Sequence, residues 1–228
     1  MNIAIVLSGG RGSRLGLETP KQYIRVNEKM IINYSLDELL RHEYIHGVVI
    51  VAENEFRDML YAEINIKDKF MGFANPGENR QLSIYNALKL IDEMKKDCTN
   101  VFVHDAARPN LTADMITKYL DAMNGYDGVM PVLPMKDTVY ISSDGASITS
   151  LIDRKTVYAG QAPEVFDFKK YLAANISLLP DNIKSINGSS EPAVMAGMKI
   201  AMVKGDENNY KITTKTDLEK FSSCMHRF

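Results

Sequence analysis

The stretch Leu7-Ser8-Gly9-Gly10-Arg11-Gly12-Ser13-Arg14 decides the fold, because an apolar run ends there and a glycine-rich loop begins. Residues 3–7 have the length and composition of a buried strand. Glycine lets backbone N–H groups approach a ligand without a Cβ in the way, and a concave row of such donors suits an oxyanion. Arg14 and the Lys21 of Pro20-Lys21-Gln22 add charges suited to phosphate. We interpret the stretch as a strand followed by a loop that wraps nucleotide phosphates.

Two better-known glycine loops fit this stretch less well. A P-loop requires Gly-x-x-x-x-Gly-Lys-Ser/Thr, and no lysine stands beside a glycine here. A dinucleotide fingerprint requires Gly-x-Gly-x-x-Gly; Gly10 and Gly12 match it, but Leu15 occupies the third glycine position. A nicotinamide oxidoreductase is therefore disfavoured, whereas an ordinary turn-rich surface loop stays open from this spacing alone.

The composition is typical of an ordinary globular protein. The chain has 228 residues, of which 45% are hydrophobic and 25% charged, enough for one α/β domain over residues 1–228. The net charge of −2 argues against a nucleic-acid binder. Cys98 and Cys224 lack metal-type spacing, so we expect reduced thiols. Without a signal-like start or a long apolar run, we expect a cytoplasmic protein that makes no membrane contact.

Short apolar runs alternate with helical patterns over most of the chain. We predict strands at residues 3–7, 48–52, 71–74, 101–104, 128–132 and 200–203. We predict helices at residues 31–40, 55–64, 81–94 and 112–123, and a last helix that begins at Thr214. This alternation predicts an α/β fold with a mostly parallel twisted sheet, helices on both faces and ligands at the carboxyl ends of the strands.

The alternation breaks at residues 136–158. Segments 137–141 and 148–152, joined by a polar tip at residues 142–147, have the pattern of an antiparallel hairpin. We predict a protruding β-arm that docks on a second copy of the chain, so that the protein is one domain with a dimerisation arm.

The cluster His104-Asp105-Ala106-Ala107-Arg108-Pro109 follows a predicted strand and therefore lies at the ligand edge. A carboxylate beside a triphosphate requires a divalent cation between them, so Asp105 is the candidate ligand for Mg²⁺. The small Ala106 would let a nucleoside pack against the backbone. His104 next to Asp105 suggests a general base, but a structural histidine is favoured because a phosphate oxygen needs no base to attack.

Two more clusters map to the same edge. Gly77-Glu78-Asn79-Arg80-Gln81-Leu82-Ser83 ends a strand and opens a helix, where Gly77 and the Ser83 hydroxyl can read a base edge or ribose. Lys211-Ile212-Thr213-Thr214 precedes the last helix. Taken singly, the first is equally an ordinary helix start and Lys211 a solvated lysine. Their common position at one edge favours the ligand-binding interpretation.

Together these motifs resemble one family. They are Gly-Gly-x-Gly-x-Arg, Pro-Lys-Gln, Gly-x-x-Arg-x-x-Ser, His-Asp-Ala-Ala-Arg-Pro, Asp-Thr, Asp-Arg, Gln-x-Pro-x-x-Phe and Lys-Ile-Thr-Thr-x-x-Asp-Leu, in this order over residues 3–218. The chain resembles the cytidylyltransferases that make 4-diphosphocytidyl-2-C-methyl-D-erythritol or CDP-ribitol. The resemblance implies a Rossmann-like nucleotidyltransferase fold, CTP as donor, Mg²⁺, and a homodimer whose arms reach into each other's sites.

The resemblance also implies roles for individual residues. The triphosphate would be held by Ser8, Gly9, Gly10 and Gly12, and the catalytic cations would be Arg14 and Lys21. The cytosine and ribose would lie by Gly77, Ser83 and Ala106, and Asp105 would hold Mg²⁺, with Asn209 a weaker candidate near the metal. The acceptor would contact Arg108, Thr138, Lys211 and, from the other subunit's arm, Arg154.

The chain departs from the family pattern on the acceptor side. It has Gln161-Ala162-Pro163-Glu164 where members usually have Gln-Thr-Pro-Gln, and Asn187-Gly188-Ser189-Ser190 where they usually have Thr-Asp and a small or acidic pair. Gly-Gly-x-Gly, Tyr158-Ala-Gly-Gln161 and Val203-Lys-Gly-Asp favour D-ribitol 5-phosphate as acceptor, whereas His-Asp-Ala-Ala-Arg-Pro favours 2-C-methyl-D-erythritol 4-phosphate. We predict the ribitol acceptor, with the methylerythritol acceptor and a non-catalytic nucleotide-binding homologue as alternatives.

Overall fold

One eight-stranded sheet runs through the protein. The computed structural model describes residues 1–10, 19–94 and 97–225. Within these ranges the strands are β1 (Asn2–Leu7), β2 (Arg25–Val26), β3 (Lys29–Met30), β4 (Gly47–Val51), β5 (Phe70–Ala74), β6 (Asn100–Asp105), β7 (Gly128–Pro134), β8 (Val139–Ile141), β9 (Ser150–Ile152), β10 (Tyr158–Gly160), β11 (Glu164–Asp167) and β12 (Ile200–Lys204). The large sheet has the order β10-β7-β11-β6-β1-β4-β5, and β12 also pairs with β7.

The sheet is mostly parallel, as the alternating pattern predicts. Strand β1 is parallel to both β4 and β6, β4 to β5, and β12 to β7. Strand β11, however, lies antiparallel between β6 and β7, and β10 is antiparallel to β7. Strands β10 and β11 were not predicted from the sequence. In β11, Glu164-Val-Phe-Asp167 has only two apolar residues between two acids, which hides the strand pattern. The predicted fold class is confirmed with this addition.

Helices cover both faces of the sheet. They are α1 (Ile31–Arg41), α2 (Asn54–Ala62), α3 (Arg80–Glu93), α4 (Ala113–Asp121), α5 (Phe168–Ile176), α6 (Glu191–Met195) and α7 (Lys215–Met225). Because side chains alternate along a strand, Ala4 and Val6 of β1 pack with α1, α2 and α4, whereas Ile3 and Ile5 pack with α3, α5 and α6. Helix α7 begins with the predicted capping box, in which Thr214 and Asp217 each bind the other's backbone N–H.

The arm is a separate two-stranded sheet. Strands β8 and β9 pair antiparallel from Val139 opposite Ile152 to Ile141 opposite Ser150, so the predicted hairpin is confirmed. Tyr140, Ile148 and Leu151 are 54%, 68% and 63% exposed. The role of the arm in dimerisation stays a prediction.

The cysteines and the helix lengths can also be read from the structure. Cys98 and Cys224 are both free thiols, the first buried and the second exposed. Across residues 1–10, 19–94 and 97–225, every helix is too short or too polar to span a bilayer.

Candidate active site

Three strands bring their carboxyl ends to one edge of the sheet. Leu7 at the end of β1 lies in register with Asp105 at the end of β6. The N–H of Ala106 donates to the Leu7 carbonyl, and the N–H of Ser8 donates to the Val51 carbonyl at the end of β4. A cavity of about 380 Å³ opens at this edge. Its position is where open α/β sheets bind their ligands.

Most of the predicted site residues meet in this cavity. Its described lining includes five residues predicted to bind the nucleotide, namely Gly9, Gly10, Gly77, Ser83 and Ala106. It also includes the predicted catalytic Lys21, the predicted metal ligand Asp105 and the predicted acceptor-binding Lys211. Gly12 and Arg14 lie outside the described residues. Residues from five separated parts of the sequence therefore line one cavity.

The Pro20-Lys21-Gln22 motif folds back onto the start of the glycine loop. The Gln22 amide donates to the carbonyls of Ser8 and Gly10, at 2.6 and 2.8 Å. The Ser8 hydroxyl donates to the Tyr23 hydroxyl, and Ser8 is buried beside the cavity instead of lining it. These contacts turn the Gly10 carbonyl towards Gln22 and place Lys21 in the cavity wall.

The loop between β5 and α3 packs too tightly for larger residues. A Cβ on Gly77 would lie 2.3 Å from Leu82 Cβ, and one on Gly9 would lie 2.7 Å from Pro76 Cβ. The Ser83 hydroxyl accepts from the Gly77 N–H at 3.0 Å, and the Asn79 side chain caps α3 by accepting from the Leu82 N–H. The N-terminus of α3, with its first residue Arg80, is thus fixed at the cavity.

Asp105 is surrounded by cations. Its Oδ1 lies 3.0 Å from Arg80 Nη2, and its Oδ2 lies 2.9 Å from Lys211 Nζ and 3.8 Å from Arg108 Nε. Burial alone would raise the pKa of the Asp105 carboxyl, but the charges of Arg80, Lys211 and Arg108 outweigh it and hold the pKa well below its usual range. Asp105 is therefore a carboxylate at neutral pH.

A second carboxyl, Glu164, lies near this cluster and was missed as a site residue. Burial raises the pKa of Glu164 to about 7, although Arg80, Arg108 and Lys211 oppose the shift. The Ser189 hydroxyl donates to Glu164 Oε2. The signal in the sequence that could have identified Glu164 was its replacement of the family's usual glutamine. Arg80 was also missed, because its motif was noted without a role for the arginine.

His104 has the structural position that the sequence analysis favoured. It is fully buried, its Nε2 lies 3.1 Å from the Arg108 carbonyl oxygen, and it is not among the lining residues. Burial lowers the pKa of His104 to about 4, with Arg108 and Lys211 acting in the same direction. The imidazole is neutral at physiological pH and has no access to a ligand in the cavity.

The remaining acceptor-side residues are not gathered in the cavity. Arg108 lies behind Asp105, where its Nη1 donates to the Asn209 carbonyl at 2.6 Å. Asn209 is buried and donates to the Ala162 carbonyl at 2.9 Å. Thr138 and Arg154 lie exposed on the arm, and Arg154 donates to the Lys136 carbonyl. Neither Thr138 nor Arg154 is among the described residues that line the cavity, so their contacts with an acceptor stay predictions.

The donor set fits a magnesium ion carried by a nucleotide. No group of three or more His, Cys, Asp or Glu side chains suited to a metal occurs in the described part of the chain. The carboxylates among the described lining residues are Asp105 and Glu78. Mg²⁺ is commonly held by one or two carboxylates together with substrate phosphates, and Asp105 meets that requirement.

A family model named "IspD: 2-C-methyl-D-erythritol 4-phosphate cytidylyltransferase" matches residues 2–227. The chain belongs to the IspD family. A 2-C-methyl-D-erythritol 4-phosphate cytidylyltransferase from Thermotoga neapolitana is 33% identical over 219 residues, which cover 96% of this chain and 94% of the relative. A ribitol-5-phosphate cytidylyltransferase from Lacticaseibacillus paracasei is 29% identical over 230 residues, covering 99% and 98%.

A solved structure shows the same fold. The 4-diphosphocytidyl-2C-methyl-D-erythritol synthase from Anaerococcus prevotii superposes with a TM-score of 0.82 at 25% identity, covering 100% of this chain and 96% of the other. The resemblance inferred from the motifs is confirmed, and the protein is a cytidylyltransferase of the IspD family. The predicted preference for ribitol 5-phosphate is not supported, because the family model and most of the similar relatives bear the methylerythritol name.

Proposed function

We propose that the protein transfers CMP from CTP to 2-C-methyl-D-erythritol 4-phosphate and releases pyrophosphate. The observation that carries this proposal is the convergence of Arg80 and Lys211 on Asp105 in one cavity that Lys21 also lines, in a chain of the IspD family. Such a cavity suits two anionic substrates, since both the triphosphate and the acceptor phosphate need cationic partners.

The reaction would be a direct displacement at phosphorus. An acceptor phosphate oxygen forms a bond to the α-phosphorus of CTP, and the bond from that phosphorus to the bridging oxygen of the β-phosphate breaks. Pyrophosphate leaves with the electron pair. Because the nucleophile is already an anion, the protein contributes alignment and charge neutralisation, without a general base. Neutral, enclosed His104 is consistent with this mechanism.

Lys21 would stabilise the negative charge that gathers around the α-phosphorus and the departing pyrophosphate. Its place in the cavity wall beside Gly10 and Gln22 supports this role. Arg14 would act with it, on the resemblance described above. Mg²⁺ bound by Asp105 and the nucleotide would neutralise further phosphate charge.

The acceptor would bind on the Lys211 side of Asp105. Lys211 contacts Asp105 from the segment before α7, and Arg108 supports the same carboxylate from behind. In a two-fold homodimer, Thr138 and Arg154 of one arm would reach the acceptor site of the partner. The exposed apolar side chains Tyr140, Ile148 and Leu151 support burial of the arm against another copy.

D-ribitol 5-phosphate is a second candidate acceptor. Its support is the 29% identity to the ribitol-5-phosphate cytidylyltransferase from Lacticaseibacillus paracasei, together with the departures at Ala162 and Gly188. Either polyol phosphate presents a phosphate and hydroxyls, so the charged groups in the cavity suit both.

A panel of acceptors tests the proposal. CTP and Mg²⁺ are incubated with the protein and either polyol phosphate, and pyrophosphate release is followed. We expect 2-C-methyl-D-erythritol 4-phosphate to show a kcat/KM at least about tenfold above that of D-ribitol 5-phosphate, equivalent to a difference of about 1.4 kcal/mol. A higher kcat/KM for D-ribitol 5-phosphate would assign the ribitol activity. If neither acceptor leads to release of pyrophosphate, the protein is better described as a nucleotide-binding homologue.

A further inference from the structure

The two departures from the family pattern meet inside the protein. Glu164 comes from the segment 161–164, and Ser189 comes from the segment 187–190. The Ser189 hydroxyl donates a hydrogen bond to Glu164 Oε2, and both residues are buried. A carboxyl group is tolerated in the protein interior only with hydrogen-bond and charge partners, so the partners of Glu164 indicate its role.

Strand register places Glu164 beside Asp105. Glu164 of β11 lies opposite Val103 of β6 in an antiparallel pair. Asp105 follows Val103 by two residues and therefore projects from the same face of the sheet. Diagonal neighbours of this kind are separated by about 7–8 Å, so two carboxyl groups share one small area beneath the N-terminus of α3.

Arg80 is ion-paired with Asp105, and its charge also acts on the carboxyl group of Glu164. Its guanidinium lies 3.0 Å from Asp105 Oδ1. Among the charges that oppose the effect of burial on the pKa of Glu164, that of Arg80 is the largest, and Arg108 and Lys211 act in the same direction. The charges of Asp105 and Glu164 both raise the pKa of Arg80 against the effect of its own burial.

A chain of buried hydrogen bonds leads from Glu164 back to the residue after Arg80. The Ser189 hydroxyl binds Glu164, while the Ser189 carbonyl accepts from the Tyr171 hydroxyl at 2.7 Å. The Tyr171 hydroxyl accepts in turn from the Gln81 amide at 3.1 Å. Glu164 is therefore tied to α3 along two routes, one electrostatic through Arg80 and one hydrogen-bonded through Gln81.

We propose that Glu164, oriented by Ser189, is a positioning residue whose negative charge helps Asp105 to hold the Arg80 guanidinium at the cavity wall. Glu164 adds a second attractive charge to that of Asp105, so that displacement of the guanidinium from the cavity wall costs more. The consequence for turnover rests on the proposed function. The coupling between Glu164 and Arg80 does not depend on the proposed function, because it is measured from the thermal stability of the variants.

The first half of the test is thermal unfolding at pH 8 of wild type, R80M, E164Q and the double variant. R80M leaves two carboxylates without the charge of Arg80, so we expect the Tm to fall by about 5–10 °C. E164Q removes one of those charges while keeping the shape of the side chain. We expect it to raise the Tm by at least about 3 °C more in the R80M background than in wild type. Equal effects in both backgrounds would overturn the proposal.

The second half of the test is turnover by the same four proteins. We expect E164Q to lower kcat about tenfold when Arg80 is present, with little change in the KM for CTP, and less than about twofold when Arg80 is replaced. If the kcat of the double variant falls by the product of the two single losses, or if E164Q leaves kcat unchanged, Glu164 is merely structural. If wild type uses no polyol phosphate, the proposed function fails, and the Tm comparison alone decides whether Glu164 holds Arg80.

Glu191 supplies the matched control. Its carboxylate accepts from the Asn187 N–H at 2.9 Å in the same loop as Ser189, but it is not among the cavity-lining residues. E191Q should change the Tm equally in the Arg80 and R80M backgrounds and leave kcat within about twofold of its parent. If E191Q raises the Tm of R80M as much as E164Q does, the effect comes from the net charge of the protein, and the proposal is contradicted.

Discussion

The Lys211 ammonium lies 2.9 Å from the Asp105 carboxylate, although 106 residues separate them in the sequence. The contact closes the cavity between the carboxyl end of β6 and the segment before α7. It also brings a residue predicted to bind the acceptor against the residue predicted to hold the metal.

Asp105→Asn should lower turnover by about 10² or more, because it removes the proposed metal ligand and leaves Arg80 and Lys211 without their anion. The measurement is the rate of pyrophosphate release at saturating CTP, acceptor and Mg²⁺. Asp92→Asn, an exposed change further along α3, is the control and should keep the wild-type rate. A rate for Asp105→Asn within about threefold of wild type would remove Asp105 from the active site.

Lys21→Ala should lower turnover by about 10² or more with little change in Tm, since it removes a charge directed at the transition state. Lys89→Ala, which affects an exposed lysine of α3, controls for the loss of a positive charge. Near wild-type turnover in Lys21→Ala would mean that the catalytic centre is elsewhere.

The wild-type protein should become less stable relative to Glu164→Gln as the pH rises from about 4.5 to 8. Burial raises the pKa of Glu164 from 4.5 in the unfolded chain to about 7 in the folded one. A raised pKa means that the folded state holds the proton more tightly. The resulting stabilisation is fully present below pH 4.5 and is lost as the pH passes through about 7.

The size of this effect follows from the two pKa values. The wild-type free energy of unfolding should fall relative to that of the variant by up to about 3 kcal/mol. Urea unfolding of both proteins at several pH values measures the difference. A constant difference between pH 4.5 and 8 would show that Glu164 titrates normally.

The role of the arm is tested by mixing two proteins that are each impaired in turnover. Arg154→Ala should weaken use of the acceptor and leave CTP binding nearly unchanged, because Arg154 lies on the arm and away from the cavity. Heterodimers of Arg154→Ala with Lys21→Ala should regain activity, since one of their two sites combines wild-type Lys21 with wild-type Arg154. Subunit exchange without recovery would show that Arg154 does not act across an interface.

The strands that carry the site could be predicted from the sequence because each has a simple local pattern. Residues 3–7 and 101–104 are short apolar runs followed at once by polar motifs, and parallel strands bring such motifs to one edge. The hairpin followed from two short apolar segments around a polar tip. These features depend on residues that are close together in the sequence, so they can be recognised in a single sequence.

The contacts between distant segments could not be predicted in this way. Nothing local marks Glu164 as the first residue of an antiparallel strand beside β6, or Ser189 as its hydrogen-bond partner. Nor does the spacing show that Gln22 folds back to the Gly10 carbonyl. The preference for a ribitol acceptor was inferred from three motifs of four residues each, and the comparison over the full chain favours the methylerythritol acceptor.

Competition between the two acceptors tests the central claim most directly. Equimolar 2-C-methyl-D-erythritol 4-phosphate and D-ribitol 5-phosphate are incubated with limiting CTP, Mg²⁺ and the protein, and the diphosphate products are resolved by ³¹P NMR. The initial product ratio equals the ratio of the two kcat/KM values. We predict that at least about nine-tenths of the cytidylyl groups appear on methylerythritol phosphate. A product dominated by CDP-ribitol, or CTP left intact beside both acceptors, would contradict the account.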